Sequence, residues 1–168
     1  MIRTAHAADA EALSRLGTQT FCDTFGHLYP PEDLAAYLSE AHTPEAWRKL
    51  LTTPHTRTWL WEAEGGEPVA YAVAGPCKLP HPEVTEGAGE LRRLYVARSQ
   101  QGTGLGRALF DVALGWLESE GRSPLWVGVY SENHRALRLY LGRGFVQVGE
   151  YEFPVGRMRD RELILRRG

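Results

Sequence analysis

The feature that most constrains this chain is a succession in its second half. A strand-like segment, Glu90–Val96, runs into a glycine-rich turn, Gln101-Gly102-Thr103-Gly104-Leu105-Gly106, then a helical stretch to about Glu120 and an apolar run, Leu125–Tyr130. Leu105, Leu109, Val112, Ala113, Trp116 and Leu117 recur at helical spacing, so the stretch from about Gly104 is amphipathic. The Leu125–Tyr130 run lacks polar alternation, as expected of a strand covered on both faces. Such an order demands sheet and helix layers around one core.

The flanking segments extend the pattern. Met1–Thr4 reads as a short edge strand, and Ala7 to about Phe25 as a helix carrying Ala10, Leu13, Leu16, Thr20 and Phe21 inward, stopped at Gly26. Pro30-Pro31-Glu32-Asp33 and Pro44-Glu45 each put proline and acid where a helix begins, opening helices to about Glu40 and Leu51. Thr58–Ala63 and Pro68–Ala74 flank Glu64-Gly65-Gly66-Glu67, whose glycines suit a tight hairpin. Gly75–Gly89, which holds Pro76, Pro80, Pro82 and Gly87, reads as a long functional loop. Asn133 to about Arg143 reads as a helix with Leu137, Tyr140 and Leu141 inward, and Phe145–Phe153 and Arg161–Arg166 as closing strands. The expected fold is a mixed α/β sheet with helices on its faces, in one domain spanning residues 1–168.

The glycine-rich turn carries chemistry. Glycines at 102, 104 and 106 let the backbone approach a ligand, and the helix behind them offers unpaired N–H groups and partial positive charge, so an anionic phosphate is the natural occupant. Gly106 is followed by Arg107-Ala108 rather than Lys-Ser/Thr, and Arg107 stands where a dinucleotide fingerprint needs glycine, so neither common nucleotide motif fits. A second segment follows the apolar strand: Asn133-His134-Arg135-Ala136-Leu137-Arg138-Leu139-Tyr140-Leu141-Gly142-Arg143-Gly144-Phe145. Asn133 and Tyr140 are about two helical turns apart, on one face.

The two motifs, Gln-x-x-Gly-x-Gly after a strand and Asn-x-x-Ala-x-x-x-Tyr-x-x-x-Gly-Phe, resemble those of the GNAT superfamily of acetyl-CoA-dependent N-acetyltransferases over residues 90 to 145. The resemblance implies a sheet splayed at a bulge between two parallel strands, Glu90–Val96 and Leu125–Tyr130. It implies acetyl-CoA as co-substrate, held by Leu94, Tyr95 and Val96 along the pantetheine arm, by Gln101, Gly102, Thr103, Gly104, Leu105, Gly106 and Arg107 at the diphosphate, and by Asn133 and Tyr140. By the same resemblance Tyr140 is the acid for the leaving sulfur, and Glu90 the carboxylate that takes the amine's proton, with Glu86 and His81 as alternatives. Phe25 and Tyr29, with Glu90, wall the acceptor pocket, and Phe21–Tyr37 is laid out loosely like the bacterial polyamine acetyltransferases. A protein that only bound acyl-CoA would keep the cradle but need no acid at the sulfur.

Charge supports two partners of opposite sign: residues 1–90 carry 13 acidic against 6 basic side chains, residues 91–168 carry 8 against 13. The acidic half fits a cationic acceptor. No membrane-length apolar run, signal-like start or zinc-spaced Cys/His cluster occurs. The expectation is a cytoplasmic protein without metal, nucleic-acid or membrane partner, acting on a small-molecule or peptide amine, with a homodimer left open. Cys77 has no evident activating neighbour and reads as a packing residue, as do the five tryptophans.

Overall fold

The computed structural model describes residues 1–168. Seven strands form one sheet in the order β1-β2-β3-β4-β5-β7-β6: β1 Ile2–Thr4, β2 Arg57–Glu62, β3 Pro68–Pro76, β4 Gly89–Val96, β5 Leu125–Tyr130, β6 Val146–Val155 and β7 Met158–Arg167. Every pairing is antiparallel except β4 with β5. The helices are α1 Ala10–Phe25, α2 Pro31–Ala41, α3 Pro44–Leu51, α4 Leu105–Ser119 and α5 His134–Leu141.

Local chemistry explains the boundaries. Pro31 and Pro44 stand at the first positions of α2 and α3, where the missing N–H costs nothing, and the Thr43 side chain accepts a hydrogen bond from Ala46 N–H (3.1 Å). Gly65 and Gly66 both have positive φ (101° and 87°), which makes the β2–β3 turn tight. Helix α1 stops at Gly26 as expected, and that residue, with φ −57°, opens a 3-10 turn, Gly26–Leu28. Two expectations are corrected. Residues Ala7–Asp9 form a separate 3-10 turn rather than the start of α1. The last strand begins at Met158 instead of Arg161, because Gly156 takes φ 58° and folds β6 and β7, ten residues each, into a hairpin.

Side-chain alternation divides the core. On one face α4 and α5 cover Leu91, Val127, Val129, Leu163 and Leu165, with Leu109, Phe110 and Leu117 fully buried. On the other, α1 and α3 cover Leu60, Tyr71 and Val73 around the fully buried Trp47. Each such buried leucine contributes about 2 kcal/mol of burial free energy.

The sheet opens at its centre, and the cause is a single residue. Between Val73 and Ala74 of β3 the partner on β4 moves from Arg93 to Leu91, so Arg92 bulges out of the ladder. The parallel pairing of β4 with β5 covers only Gly89, Glu90 and Leu91 opposite Leu125, Trp126 and Val127. Beyond that point the C-terminal halves of the two strands part, and their unpaired edges face a gap that must be filled from outside.

Candidate active site

A cleft of about 1160 Å³ runs through this gap, and every residue expected to bind cofactor or acceptor lines it. Its two ends differ in chemistry. At one end is the turn before α4. Gly102 and Gly104 have φ 81° and 91°, conformations that exclude branched side chains, and a Cβ on either would meet no protein atom. No N–H from Gly102 to Arg107 donates to another main-chain acceptor, and Gly104 caps α4 without a side-chain bond, so the helix start is left as an anion cradle. Gln101 fixes this turn: its Nε2 donates to Val96 O (3.3 Å), and its Oε1 accepts from Arg135 Nη1 (3.2 Å). Thr103 Oγ1 donates to Gln100 O (2.5 Å). Arg98, Arg107, Arg135 and Arg138 line the same end and make it strongly cationic. Asn133 also lines the cleft, and its Oδ1 accepts from Ala136 N–H (3.2 Å), so it caps α5.

At the waist lies Tyr140, on α5. It is 5% exposed and its ring stacks on Phe110 with centroids 5.5 Å apart. Burial, with a smaller contribution from the charge of Glu162, holds its phenol well above the usual range, so the hydroxyl keeps its proton until a stronger base arrives.

The other end is a chamber on the sheet face covered by α1 and α2. Strand register fixes which side chains share it. Glu90 pairs with Trp126, Arg93 with Val73 and Tyr95 with Tyr71, while on the far strands Tyr130 pairs with Glu162, which pairs in turn with Tyr151. Phe21, Phe25 and Tyr29 come from α1 and the turn after it, with Tyr37 from α2, and Phe25 meets the Tyr130 ring edge-on at 5.5 Å. The Tyr29 hydroxyl donates to the Asp160 carboxylate.

Three carboxylates therefore face an aromatic chamber, each differently held. Asp160 is engaged by Tyr29. Glu90 is buried, and its Oε1 accepts from Lys78 N–H (2.9 Å), which ties β4 to the loop after β3. Burial raises the Glu90 carboxyl above the ordinary range against the opposing pull of that bond and of Arg92. Glu162 is held up to about 7 by burial and by the neighbouring Asp160, with no donor opposing it. Sequence reasoning missed Asp160, Glu162 and Arg93. Arg93 packs its guanidinium over Trp47 (5.2 Å) and leaves its buried Nη1 without a hydrogen-bond partner.

The alternative bases in the loop are placed elsewhere. His81 uses both ring nitrogens on main chain, Nε2 with Val148 O (3.2 Å) and Nδ1 with Glu83 N–H (3.1 Å), and packs on Trp126; Glu86 is exposed on the outer surface, away from the cleft. Burial pushes the Cys77 thiol up to about 12, which leaves it a poor nucleophile.

Comparison with known proteins agrees with this architecture. The acetyltransferase (GNAT) family model matches residues 19–145. An uncharacterized N-acetyltransferase of Lactobacillus delbrueckii subsp. lactis is 32% identical over 165 residues, covering 93% of this chain and 88% of the relative. One of Mycobacterium tuberculosis is 27% identical over 157 residues, covering 94% and 96%. Among solved structures, the PaiA N-acetyltransferase of Thermoplasma acidophilum, in complex with coenzyme A, superposes with a TM-score of 0.76 at 15% identity, covering 99% of this chain and 97% of that one. A ribosomal-protein-alanine N-acetyltransferase of Brucella melitensis gives 0.68 at 24% identity, covering 99% and 98%. A sheet splayed at a bulge beside a glycine cradle defines the class, and the chain belongs to the GNAT acetyltransferase family. No helix is long and apolar enough to cross a membrane.

Proposed function

We propose that the protein transfers the acetyl group of acetyl-CoA directly to a primary amine that enters the chamber as a cation, a small molecule such as a polyamine. The observation that carries this reading is the polarity of the cleft: four arginines and a helix start at the end suited to the coenzyme's phosphates, and three carboxylates against one arginine, Arg93, among aromatic rings at the other. An ammonium group is attracted to both carboxylates and aromatic faces.

The protein's own groups supply each requirement. The turn Gly102–Arg107 and Arg135 hold phosphate oxygens, the open edges of β4 and β5 offer main-chain partners to the arm of the coenzyme, and Tyr140 protonates the departing sulfur. A thiol of ordinary acidity needs only modest help to leave. A carboxylate on the chamber side takes the first amine proton, and Glu90 and Glu162 are the candidates. A second reading, an amine that also carries a carboxylate, is favoured by the unpartnered Nη1 of Arg93.

The test is thiol release from acetyl-CoA with a panel of diamines, amino acids and peptides. Turnover with diamines supports the first reading, and turnover confined to amino acids or peptides the second. Absence of turnover with every amine, despite thermal stabilisation by coenzyme A, would leave a protein that only binds acyl-CoA.

A further inference from the structure

Glu162 distinguishes itself from the other carboxylates of the chamber in three ways. Its position is set by strand register: it pairs with Tyr130 at the very end of β5, where that strand has parted from β4, so it stands at the mouth of the gap on the chamber side. It lines the same cleft as Tyr140, which enters from the helix on the opposite face of the sheet. And it is free: Glu90 is bonded to Lys78 N–H and Asp160 to Tyr29, whereas no ion pair or hydrogen-bond donor acts on Glu162. A half-buried carboxylate without a partner costs stability, and such groups concentrate where a site uses them.

We propose that Glu162 is the catalytic carboxylate that accepts the acceptor's proton, and that Glu90 is a positioning residue that pins the loop after β3 to β4. The inference rests on the transferase reading above. The substrate nitrogen must lose two protons. Glu162 takes the first from the ammonium, freeing the lone pair that forms the C–N bond, and passes it to solvent. As the C–S bond breaks with its electron pair on sulfur, Tyr140 gives its proton to the thiolate and is recharged by the second proton of nitrogen. One proton is released per acetyl group transferred.

The titratable and charged groups around Glu162 are Asp160 on its own strand, its ladder partners Tyr130 of β5 and Tyr151 of β6, and, lining the same cleft, Arg93 and Tyr95 of β4, Tyr37 of α2 and Tyr140 of α5. The phenols of Tyr37, Tyr95, Tyr140 and Tyr151 are all raised, and His42 at the end of α2 is held down to about 4 by burial and Arg93, so none of these titrates between pH 5 and 8. Glu90 and Asp160 remain, and variants of Glu90 separate the first.

The experiment is the pH profile of kcat/KM for the acceptor, with coenzyme A affinity measured in parallel. The wild-type enzyme should lose activity as pH falls through about 7, the value at which Glu162 becomes protonated. Glu162→Gln should lower kcat/KM by a factor of at least about 100, as loss of a general base does, abolish that acid limb and leave coenzyme A binding unchanged. Formate should restore part of the rate to Glu162→Ala, which leaves room for a small carboxylate. Glu90→Gln should keep the limb. If the limb survives in Glu162→Gln, or vanishes in Glu90→Gln, Glu162 is not the proton acceptor. If the wild type turns over no amine, the transferase reading itself falls.

Discussion

The two ends of the cleft are built on opposite principles. The cradle is local: six consecutive residues and the helix they open supply its N–H groups, and its arginines come from the turn after β4, from α4 and from α5. The acceptor chamber is assembled from distant pieces, with aromatic rings from α1 and α2, Glu90 from one strand and Asp160 and Glu162 from another that lies beyond β5. A cradle made of backbone depends on its glycines, because Gly102 and Gly104 sit at φ 81° and 91°. A side-chain chamber can be retuned one residue at a time. On the proposed reading the coenzyme is held mainly by backbone and the acceptor by side chains on a fixed frame.

The largest effect should follow from Gly104→Val. A branched residue at φ 91° is strained and its side chain would stand over the cradle, so coenzyme A affinity should fall by at least about a hundredfold by titration calorimetry. Gly65→Val sharpens the comparison, because φ there is 101° in a turn remote from the cleft. It should lower Tm and leave coenzyme A affinity intact. Equal affinity in both variants would show that the turn before α4 is not the cradle.

Tyr140→Phe should lower kcat by about a hundredfold with coenzyme A affinity unchanged, since it removes a proton donor and keeps the ring that stacks on Phe110. Unaltered kcat across the pH range would remove Tyr140 as the acid.

A comparable free energy is expected in stability. Glu162 binds a proton more tightly folded, at about 7, than unfolded, at about 4.5, so its contribution to stability falls as pH rises through that window, by on the order of 3 kcal/mol. Glu162→Gln avoids this loss. The variant should melt above the wild type at pH 8 and close to it at pH 4; matching melting curves at both values would show that Glu162 is solvated.

How much of this was legible in the sequence follows from the same contrast. The central strands, α3 and β5 were readable because proline starts and apolar runs are local signals; the glycine turn and Tyr140, picked out by contiguous motifs, line one cleft. Glu162 was hidden in Arg161-Glu162-Leu163, an ordinary alternating strand whose polar residue reads as solvent-facing. Only the register of β7 against β5 and β6 turns it into the chamber. The charge split of the chain pointed to a cationic acceptor through its acidic first half, yet Asp160 and Glu162 belong to the basic second half. The bulge at Arg92 left no signal in composition, because it is a property of pairing between β3 and β4.

The smallest effect should come from Tyr29→Phe. Removing the hydroxyl that donates to Asp160 should raise the acceptor KM a few-fold, the loss of one hydrogen bond to a charged group, with little change in kcat.

The division of the cleft is tested most directly by a crossed titration: coenzyme A affinity by calorimetry and acceptor KM by thiol release, in Arg107→Ala plus Arg135→Ala and in Glu162→Gln. The arginine pair should weaken coenzyme A binding, increasingly so at low salt, and leave the acceptor KM near wild type, while Glu162→Gln should disturb acceptor turnover alone. Substitutions at either end that change both quantities in the same proportion would contradict a cleft with one anion-binding and one amine-binding end.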